Sequence, residues 1–287
     1  MRTLYIDCQY GIAGDMLLAS LIDLGADLPY IVSELRKLPI DEFELGVATK
    51  NEEGIQGKQL ALTFPKEQLL TDFSKLSSNS QAASLVAAKH DHSHHHNHDE
   101  NDHHHHDHDE NDHHHHRKGA DILKMIGESQ LPEPVKVRSM ALFSEIARAE
   151  AKIHGLPVTE VHFHEVGAMD SIIDIIGVCL ALESLEVREV ISAEVPTGFG
   201  RLKMAHGLYP IPAPATAEIL TGVPLSGYSA EGEMTTPTGA AFVKVFPTSY
   251  GPVPRGEIVN IGYGIGSKKF PHPNVLRTML IKKKVLK

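Results

Sequence analysis

Residues 3–25 read TLYIDCQYGIAGDMLLASLIDLG, which joins two apolar stretches through a connection that contains glycine. The run TLYID predicts a β-strand, and CQYGIAG predicts a loop. A helix is expected to begin near Asp15, because an aspartate at a helix start caps free N–H groups. It is expected to stop at Gly25, because glycine just past a helix accepts a left-handed conformation. This segment therefore predicts a strand–loop–helix unit.

The rest of the chain alternates predicted helices with predicted strands. FELGVAT and KQLALTF flank the turn-rich KNEEGIQG and predict a β-hairpin. EVHFHE, EVISAEV and VLRTMLIKKK predict further strands, the last of them at a sheet edge. Helices are predicted over 28–38, about 120–129, 135 to 154 and 170 to about 186. Alternation of this kind predicts an α/β or α+β fold of layered sheet and helix. The expected division is 1–70, a disordered linker over 71–118, and 119–287.

The bulk composition is that of a globular protein with a neutral folded part. The chain has 287 residues, of which 41% are hydrophobic, and this is enough for a substantial core. The formal net charge is −10, but eight acidic residues between positions 90 and 116 account for most of it. Neither nucleic-acid binding nor a strongly acidic surface is therefore expected.

Two cysteines, Cys8 and Cys179, lie far apart and form no CxxC pair, so neither a disulfide framework nor a thiolate zinc site is indicated. A reducing cytoplasm fits this usage. The first residues lack the apolar segment of a signal peptide, and the longest apolar run is interrupted by Asp174. No membrane insertion is expected.

A histidine-rich tract covers residues 90–116. It holds 15 of the 20 histidines and eight acidic residues, and it contains no aliphatic or aromatic hydrophobe. Such a segment cannot bury enough surface to offset its ordering entropy, so we expect a flexible, solvated loop. Imidazoles with interleaved carboxylates predict weak binding of several divalent transition-metal ions. The alternative is an acidic linker without a metal-binding role. The candidate ligands in the repeated HHHH segments are His103, His104, His105, His106, His113, His114, His115 and His116.

The segment VHFHEVGAMDSIIDIIG contains a second candidate metal site. On a strand, His162 and His164 would face the same side and chelate one cation. Asp170 and Asp174 would share a face of the following helix and supply oxygen ligands or orient the imidazoles. Glu165 is the candidate additional ligand or base. The alternative is that both aspartates serve the helix start and the histidines are only hydrogen-bonded.

The opening loop brings Asp7 and Asp15 near the expected start of the first helix. Backbone N–H groups of such glycine-rich loops can bind phosphate or a metal-bound anion. A tight turn with Asp15 as a cap is the alternative. No complete GxxxxGK[ST] phosphate loop is present.

Three more stretches predict anion-binding loops, since each combines glycines with hydroxyls or positive charge. Plain turns are the alternative for each. The candidates are Gly198, Gly200, Arg201 and His206 in PTGFGRLKMAHG; Thr235, Thr236, Thr238 and Gly239 in GEMTTPTGAA; and Gly262, Gly264, Gly266, Lys268 and Lys269 in GYGIGSKK.

These motifs, taken in order from residue 1 to about 280, resemble the LarC family, the nickel insertion proteins of lactate racemase maturation. The resemblance implies a nickel chelatase that inserts Ni²⁺ into pyridinium-3,5-bisthiocarboxylic acid mononucleotide in a CTP-dependent reaction, giving the nickel-pincer nucleotide. It implies that the histidine-rich tract collects nickel. On this basis His162 and His164 are expected to bind the metal, supported by Asp170 and Asp174. Glu165 and Asp15 are the candidate catalytic groups.

The resemblance also implies cofactors and partners. CTP is expected with Mg²⁺ or Mn²⁺, at a site outside this chain, because longer members continue past the position matching Leu286 into a C-terminal domain associated with CTP. A separately encoded C-terminal portion is therefore an expected partner, and lactate racemase or another pincer-nucleotide enzyme is the expected recipient. Gly198, Gly200, Arg201, Thr236, Thr238 and Lys268 are the expected nucleotide-binding residues.

Two other functions remain open from the residues. A nickel storage or buffering protein would need only the tract. A metal-dependent hydrolase would need an open coordination position, an activated water and further histidines at strand ends. Outside the tract and the HFH motif, the chain offers His154, His206 and His272.

Overall fold

The computed structural model describes residues 2–65, 118–163, 169–204 and 207–283. Its strands in chain order are β1 (Arg2–Asp7), β2 (Glu44–Glu52), β3 (Ile55–Thr63), β4 (Glu189–Ser192), β5 (Gly198–Phe199), β6 (Arg201–Met204), β7 (Gly207–Pro210), β8 (Gly232–Glu233), β9 (Ser249–Tyr250), β10 (Glu257–Ile265) and β11 (Val275–Lys282). Its helices are α1 (Gly14–Asp23), α2 (Leu28–Leu35), α3 (Gly119–Glu128), α4 (Glu133–His154), α5 (Met169–Ser184), α6 (Pro214–Ile219) and α7 (Pro237–Val245), with a 3-10 turn at Val158–Glu160.

A mixed seven-stranded sheet in the order β2-β3-β10-β11-β1-β4-β9 organises the described residues. β1 runs antiparallel to β11 and parallel to β4. β10 runs antiparallel to β11 and parallel to β3. Strands from both sides of the segment 66–117 therefore share one sheet. This fold agrees with the predicted mixture of helix and strand in layers.

Helix α1 forms the layer next to the sheet, and α5 forms the layer beyond it. α1 packs on β10 and β3, and α5 packs on α1 with α4 on its other side. The residues of α5 from Ile172 to Leu182 are all buried, as expected for a helix covered on every face. Close packing of α1 on the sheet requires glycine in β10: a Cβ at Gly264 would lie 1.9 Å from the carbonyl oxygen of Met16.

Several local predictions are confirmed. The strand TLYID is β1, the first helix begins at Gly14, and β2 pairs with β3 as a hairpin. α4 ends at His154, followed by Gly155 with the left-handed φ of 64°. None of the described helices is both long and apolar enough to span a membrane.

The predicted EVHFHE strand is wrong for its described part. Residues 158–160 form a 3-10 turn, and His162 makes only an isolated bridge with Lys118. Val161 and Phe163 are buried, as the alternating pattern requires, but Phe163 packs near the Phe143 ring at a centroid distance of 6.1 Å. The Phe163 side chain is thus packed against helix α4, which contains Phe143.

The prediction that VLRTMLIKKK forms an edge strand is also wrong. β11 lies between β10 and β1 in the interior of the sheet. Its residues from Leu276 to Ile281 are buried with the exception of the half-buried Arg277, so both faces of the strand are covered. The lysines of this segment begin only at the strand's last residue, Lys282.

Candidate functional site

The end of β1 and the start of α1 form the base of the candidate site. Asp15 lies in the first turn of α1, where its carboxylate accepts a hydrogen bond from the backbone N–H of Met16 at 2.8 Å. The N-cap itself is Ala13, which provides no side-chain hydrogen bond. Asp15 is therefore not the capping residue that the turn alternative required, although the positive end of the helix dipole still favours its charge.

Two carboxylates of α5 lie within electrostatic range of Asp15. Burial raises the pKa of Asp174 well above its ordinary value, and the charges of Asp15 and Asp170 raise it further. Burial likewise raises the pKa of Asp15, with a smaller contribution from Asp170. Asp174 is 9% exposed, and its Oδ1 has no hydrogen-bond partner. The three carboxyl groups thus form an electrostatically coupled carboxylate cluster, which favours a bound proton on its buried member, Asp174.

A lysine from the loop between β10 and β11 adds positive charge beside this carboxylate cluster. Lys268 lowers the pKa of Asp15 against the larger effect of burial. Its ammonium also forms a 2.8 Å ion pair with Glu233, whose side chain is 7% exposed. Lys268 therefore connects the start of α1 with β8.

The glycine-rich stretches predicted from the sequence converge around the loop before α1. Ile12 forms a parallel bridge with Thr235 and donates its backbone N–H to the carbonyl oxygen of Met234 at 3.0 Å. β5 pairs with β8 through Gly198 and Glu233. A Cβ at Gly198 would lie 1.9 Å from the carbonyl oxygen of Gly232, so only glycine permits this contact. PTGFG, GEMTTPTG and GYGIGSKK thus meet beside the β1–α1 loop.

The structure gives several predicted nucleotide-binding residues a local role. Thr236 is the N-cap of α7 and accepts the Gly239 N–H at 3.2 Å, while its hydroxyl lies 3.0 Å from that of Thr238. Gly200 and Arg201 lie exposed at the start of the β6–β7 hairpin. Lys268, by contrast, faces the carboxylate cluster and Glu233.

The predicted metal ligands are only partly described. His162 is half-buried, Asp170 is exposed and Asp174 is buried. Across the four described ranges, no group of three or more His, Cys, Asp or Glu residues is arranged to hold a metal ion. The HFH ligand set stays a prediction, because its second histidine is not described. His164, Glu165, His206 and all the candidate histidines of the tract lie outside the described residues.

Sequence reasoning missed Glu233 and the ring environment of His272. Glu233 lies inside the GEMTTPTG motif, where the threonines were preferred; a buried acid two residues before a threonine-rich helix start was the available signal. His272 is buried between aromatic rings that come from separate loops. No local pattern reveals that contact.

Comparison with known families concerns the chain as a whole. A family model described as nickel insertion protein matches residues 4–287. The chain belongs to the nickel insertion protein family.

Relatives of the family cover nearly the whole chain. A pyridinium-3,5-bisthiocarboxylic acid mononucleotide nickel insertion protein from Staphylococcus saprophyticus is 49% identical over 96% of this chain and 59% of its own length. The protein of the same name from Geobacillus kaustophilus is 42% identical over 98% of this chain and 60% of its own length. The chain thus spans about three fifths of the length of these relatives. No solved structure matches it significantly.

Proposed function

We propose that this chain carries out the nickel-binding and transfer part of nickel insertion into pyridinium-3,5-bisthiocarboxylic acid mononucleotide, the pincer precursor. The activity is named for relatives that are 42–49% identical to it over the aligned residues. The observation that carries the proposal is the convergence of the glycine-rich loops on the carboxylate cluster of Asp15, Asp170 and Asp174. Such a site offers oxygen ligands beside polar loops and one lysine.

Nickel is the substrate ion, and the chemistry of its transfer favours weak protein ligands. The precursor's name specifies two thiocarboxylic acid groups, whose sulfurs are softer ligands than imidazole or carboxylate. We assign His162 and His164 as the nickel ligands, with Glu165, Asp170 and Asp174 in support. Protons compete with nickel for carboxylates whose pKa is raised, and proton uptake by these groups releases the ion.

The precursor also carries the phosphate of a mononucleotide. We assign phosphate binding to Lys268 and Arg201, with the backbone of Gly198 and Gly200 alongside. Lys268 has a half-exposed side chain beside the carboxylate cluster, which supports its role. Thr236 and Thr238 are proposed to contribute hydroxyl donors at the start of α7, where the helix dipole favours an anion.

CTP and its divalent cation have no assigned site among the described residues, and the sequence contains no complete GxxxxGK[ST] phosphate loop. No step is therefore assigned to CTP on this chain. We propose instead that the reaction also requires the sequence that corresponds to the remaining two fifths of the relatives. Lactate racemase or another pincer-nucleotide enzyme is the proposed recipient.

A cytoplasmic location is proposed because both cysteines are free and buried.

The test is transfer of nickel to the purified precursor, detected as the mass of the nickel-containing product. It compares the chain alone with the full-length Staphylococcus saprophyticus relative, each with and without CTP. We expect the chain to bind nickel and the precursor, and to form product only when the sequence corresponding to the rest of the relative is also present. Nickel binding without precursor binding would contradict the proposal and favour a storage protein.

Two variants test the nickel ligands. The His162→Ala, His164→Ala double variant is expected to lose transfer even in saturating nickel, because the histidines hold the transferred ion. Deletion of residues 90–116 is expected to be rescued by added nickel, because the tract only raises the local concentration. Full transfer by the double variant at high nickel would show that the two histidines are structural.

A further inference from the structure

A stack of aromatic rings borders the candidate site. His272 lies between Tyr10, at a centroid distance of 4.7 Å and an interplanar angle of 19°, and Phe270, at 5.1 Å and 10°. Tyr228 meets both Tyr10 and His272 edge-on at 5.5 Å. Offset stacking and edge-to-face contacts are the favoured arrangements of aromatic pairs. We call Tyr10, His272, Phe270 and Tyr228 the ring stack.

The ring stack is solvated at one end and closed in its centre. Tyr10 is 38% exposed and Tyr228 is 41% exposed, whereas His272 is 7% exposed. Its Nδ1 lies 3.0 Å from the carbonyl oxygen of Pro273, and its Nε2 is buried without a hydrogen-bond partner. Tyr10 is held against the buried inner rings, so its side chain has lost conformational entropy on folding. A ligand that binds to its flat face does not have to order it again.

Three members of the ring stack lie in two loops, one that leads to Asp15 and one that carries Lys268. Tyr10 lies in the loop that leads to Asp15, and Phe270 and His272 follow Lys268. Phe270 packs against Gly232, where an added Cβ would lie 2.9 Å from the ring. The next residue, Glu233, forms the ion pair with Lys268. A ligand at the carboxylate cluster and Lys268 therefore has aromatic faces within the same pair of loops.

We propose that the ring stack is the platform on which the cationic pyridinium ring of the mononucleotide stacks, with Tyr10 as the face in contact. This proposal rests on the proposed function and assigns its substrate ring to specific residues. A positively charged aromatic ring is attracted both by stacking and by the negative face of tyrosine. A neutral ring of the same size obtains only the stacking contribution.

The experiment measures dissociation constants by calorimetry with nicotinamide mononucleotide, which carries a pyridinium cation and one phosphate, and with its reduced form, whose ring is uncharged. The wild-type chain is expected to bind the oxidised form more tightly. Tyr10→Leu is expected to weaken that binding by about tenfold, the size of a lost ring–ring contact. Tyr10→Phe keeps the ring face and should retain the preference, so it is the matched control for Tyr10→Leu.

The preference for the oxidised form does not depend on any variant, so misfolding of one variant does not leave the proposal undecided. Absence of binding, equal affinity for the two forms, or an unchanged affinity of folded Tyr10→Leu would overturn it. If the cation preference depends on Tyr10 but no nickel reaches the precursor, the platform stands and the proposed nickel transfer fails. If nickel is transferred equally well by wild type and Tyr10→Leu, the proposed nickel transfer stands and the platform fails.

Discussion

The carboxylate of Asp174 lies directly against Gly14, the first residue of α1. A Cβ at position 14 would lie 2.7 Å from Oδ2 of Asp174 and 3.0 Å from its Cβ. One turn further along α5, Gly177 accepts the side chain of Leu18, whose Cδ2 would lie 2.9 Å from an added Cβ. These two glycines allow α1 and α5 to approach closely enough for Asp174 to reach Asp15.

The first prediction concerns this contact. Gly14→Ala is expected to lower the free energy of unfolding by about 1–3 kcal/mol, because the added methyl group displaces a buried carboxylate in a close-packed interface. It should also weaken nickel binding. Urea unfolding and nickel titration provide the two measurements.

Gly127→Ala is the matched control for that variant. Gly127 is an exposed residue of α3 with no atom within 4 Å of an added Cβ, so the alanine should stabilise the chain by about 0.5–1 kcal/mol through helix propensity. Equal effects of the two substitutions would mean that the Gly14 contact places no constraint on the site.

The second prediction uses the raised pKa of Asp174. Burial is the main cause, so the folded chain keeps this proton at pH values where the unfolded chain has released it. The resulting stabilisation is complete below the ordinary pKa of 3.8 and is lost as the pH rises through the higher pKa of the folded state. Asp174→Asn removes this loss. In metal-free buffer, the variant's gain in stability over the wild type should therefore grow from pH 4 towards neutral pH.

Urea midpoints at a series of pH values check this expectation. Asp170→Asn is the comparison, since Asp170 is an exposed member of the same carboxylate cluster and should give a smaller change. Parallel pH curves for wild type and Asp174→Asn would contradict the ionisation assigned to this residue.

The third prediction concerns Lys268. Lys268→Met leaves the buried carboxylate of Glu233 without its partner, at a position where the acid's side chain is 7% exposed and the lysine's is 48% exposed. We expect a loss of about 1–2 kcal/mol, less than for a fully buried pair because water screens the lysine. Thermal and urea unfolding measure this loss.

Lys269→Met removes the same charge from the exposed neighbouring residue and should have an effect within about 0.5 kcal/mol. The double variant Lys268→Met, Glu233→Gln should recover part of the loss, since no unpaired charge remains. Equal stability of both single lysine variants would show that the ion pair is not formed in solution.

The fourth prediction concerns the histidine-rich tract. Deleting residues 90–116 is expected to leave the melting temperature nearly unchanged, because the segment has no aliphatic or aromatic side chain to bury. The number of nickel ions bound per chain should fall. Calorimetric melting of the metal-free protein and equilibrium dialysis test the two parts, and a large loss of thermal stability would show that the tract packs on the folded part.

Local sequence was sufficient for elements whose signals lie within a few residues. The β1–loop–α1 unit, the β2–β3 hairpin and the end of α4 at Gly155 follow from apolar patterning and from residues that favour turns and helix ends. It was insufficient for EVHFHE, which was predicted as a strand, whereas its described part follows a 3-10 turn and buries Val161 and Phe163. It also misplaced β11, because position within a sheet depends on pairing with distant strands.

The sequence was sufficient to propose the aspartates and Lys268 of the candidate site and the glycine-rich loops around it. Charge and backbone geometry restrict which residues can occupy positions of this kind. Their proximity was decided only by tertiary structure. Asp15 and Asp174 are separated by most of the chain, and they meet because α1 and α5 pack through glycine contacts. The pairing of Lys268 with Glu233 and the stacking of Tyr10 on His272 arise in the same way. Periodicity reports which side of an element is buried, whereas the choice among distant apolar and polar partners depends on the packing of the whole core.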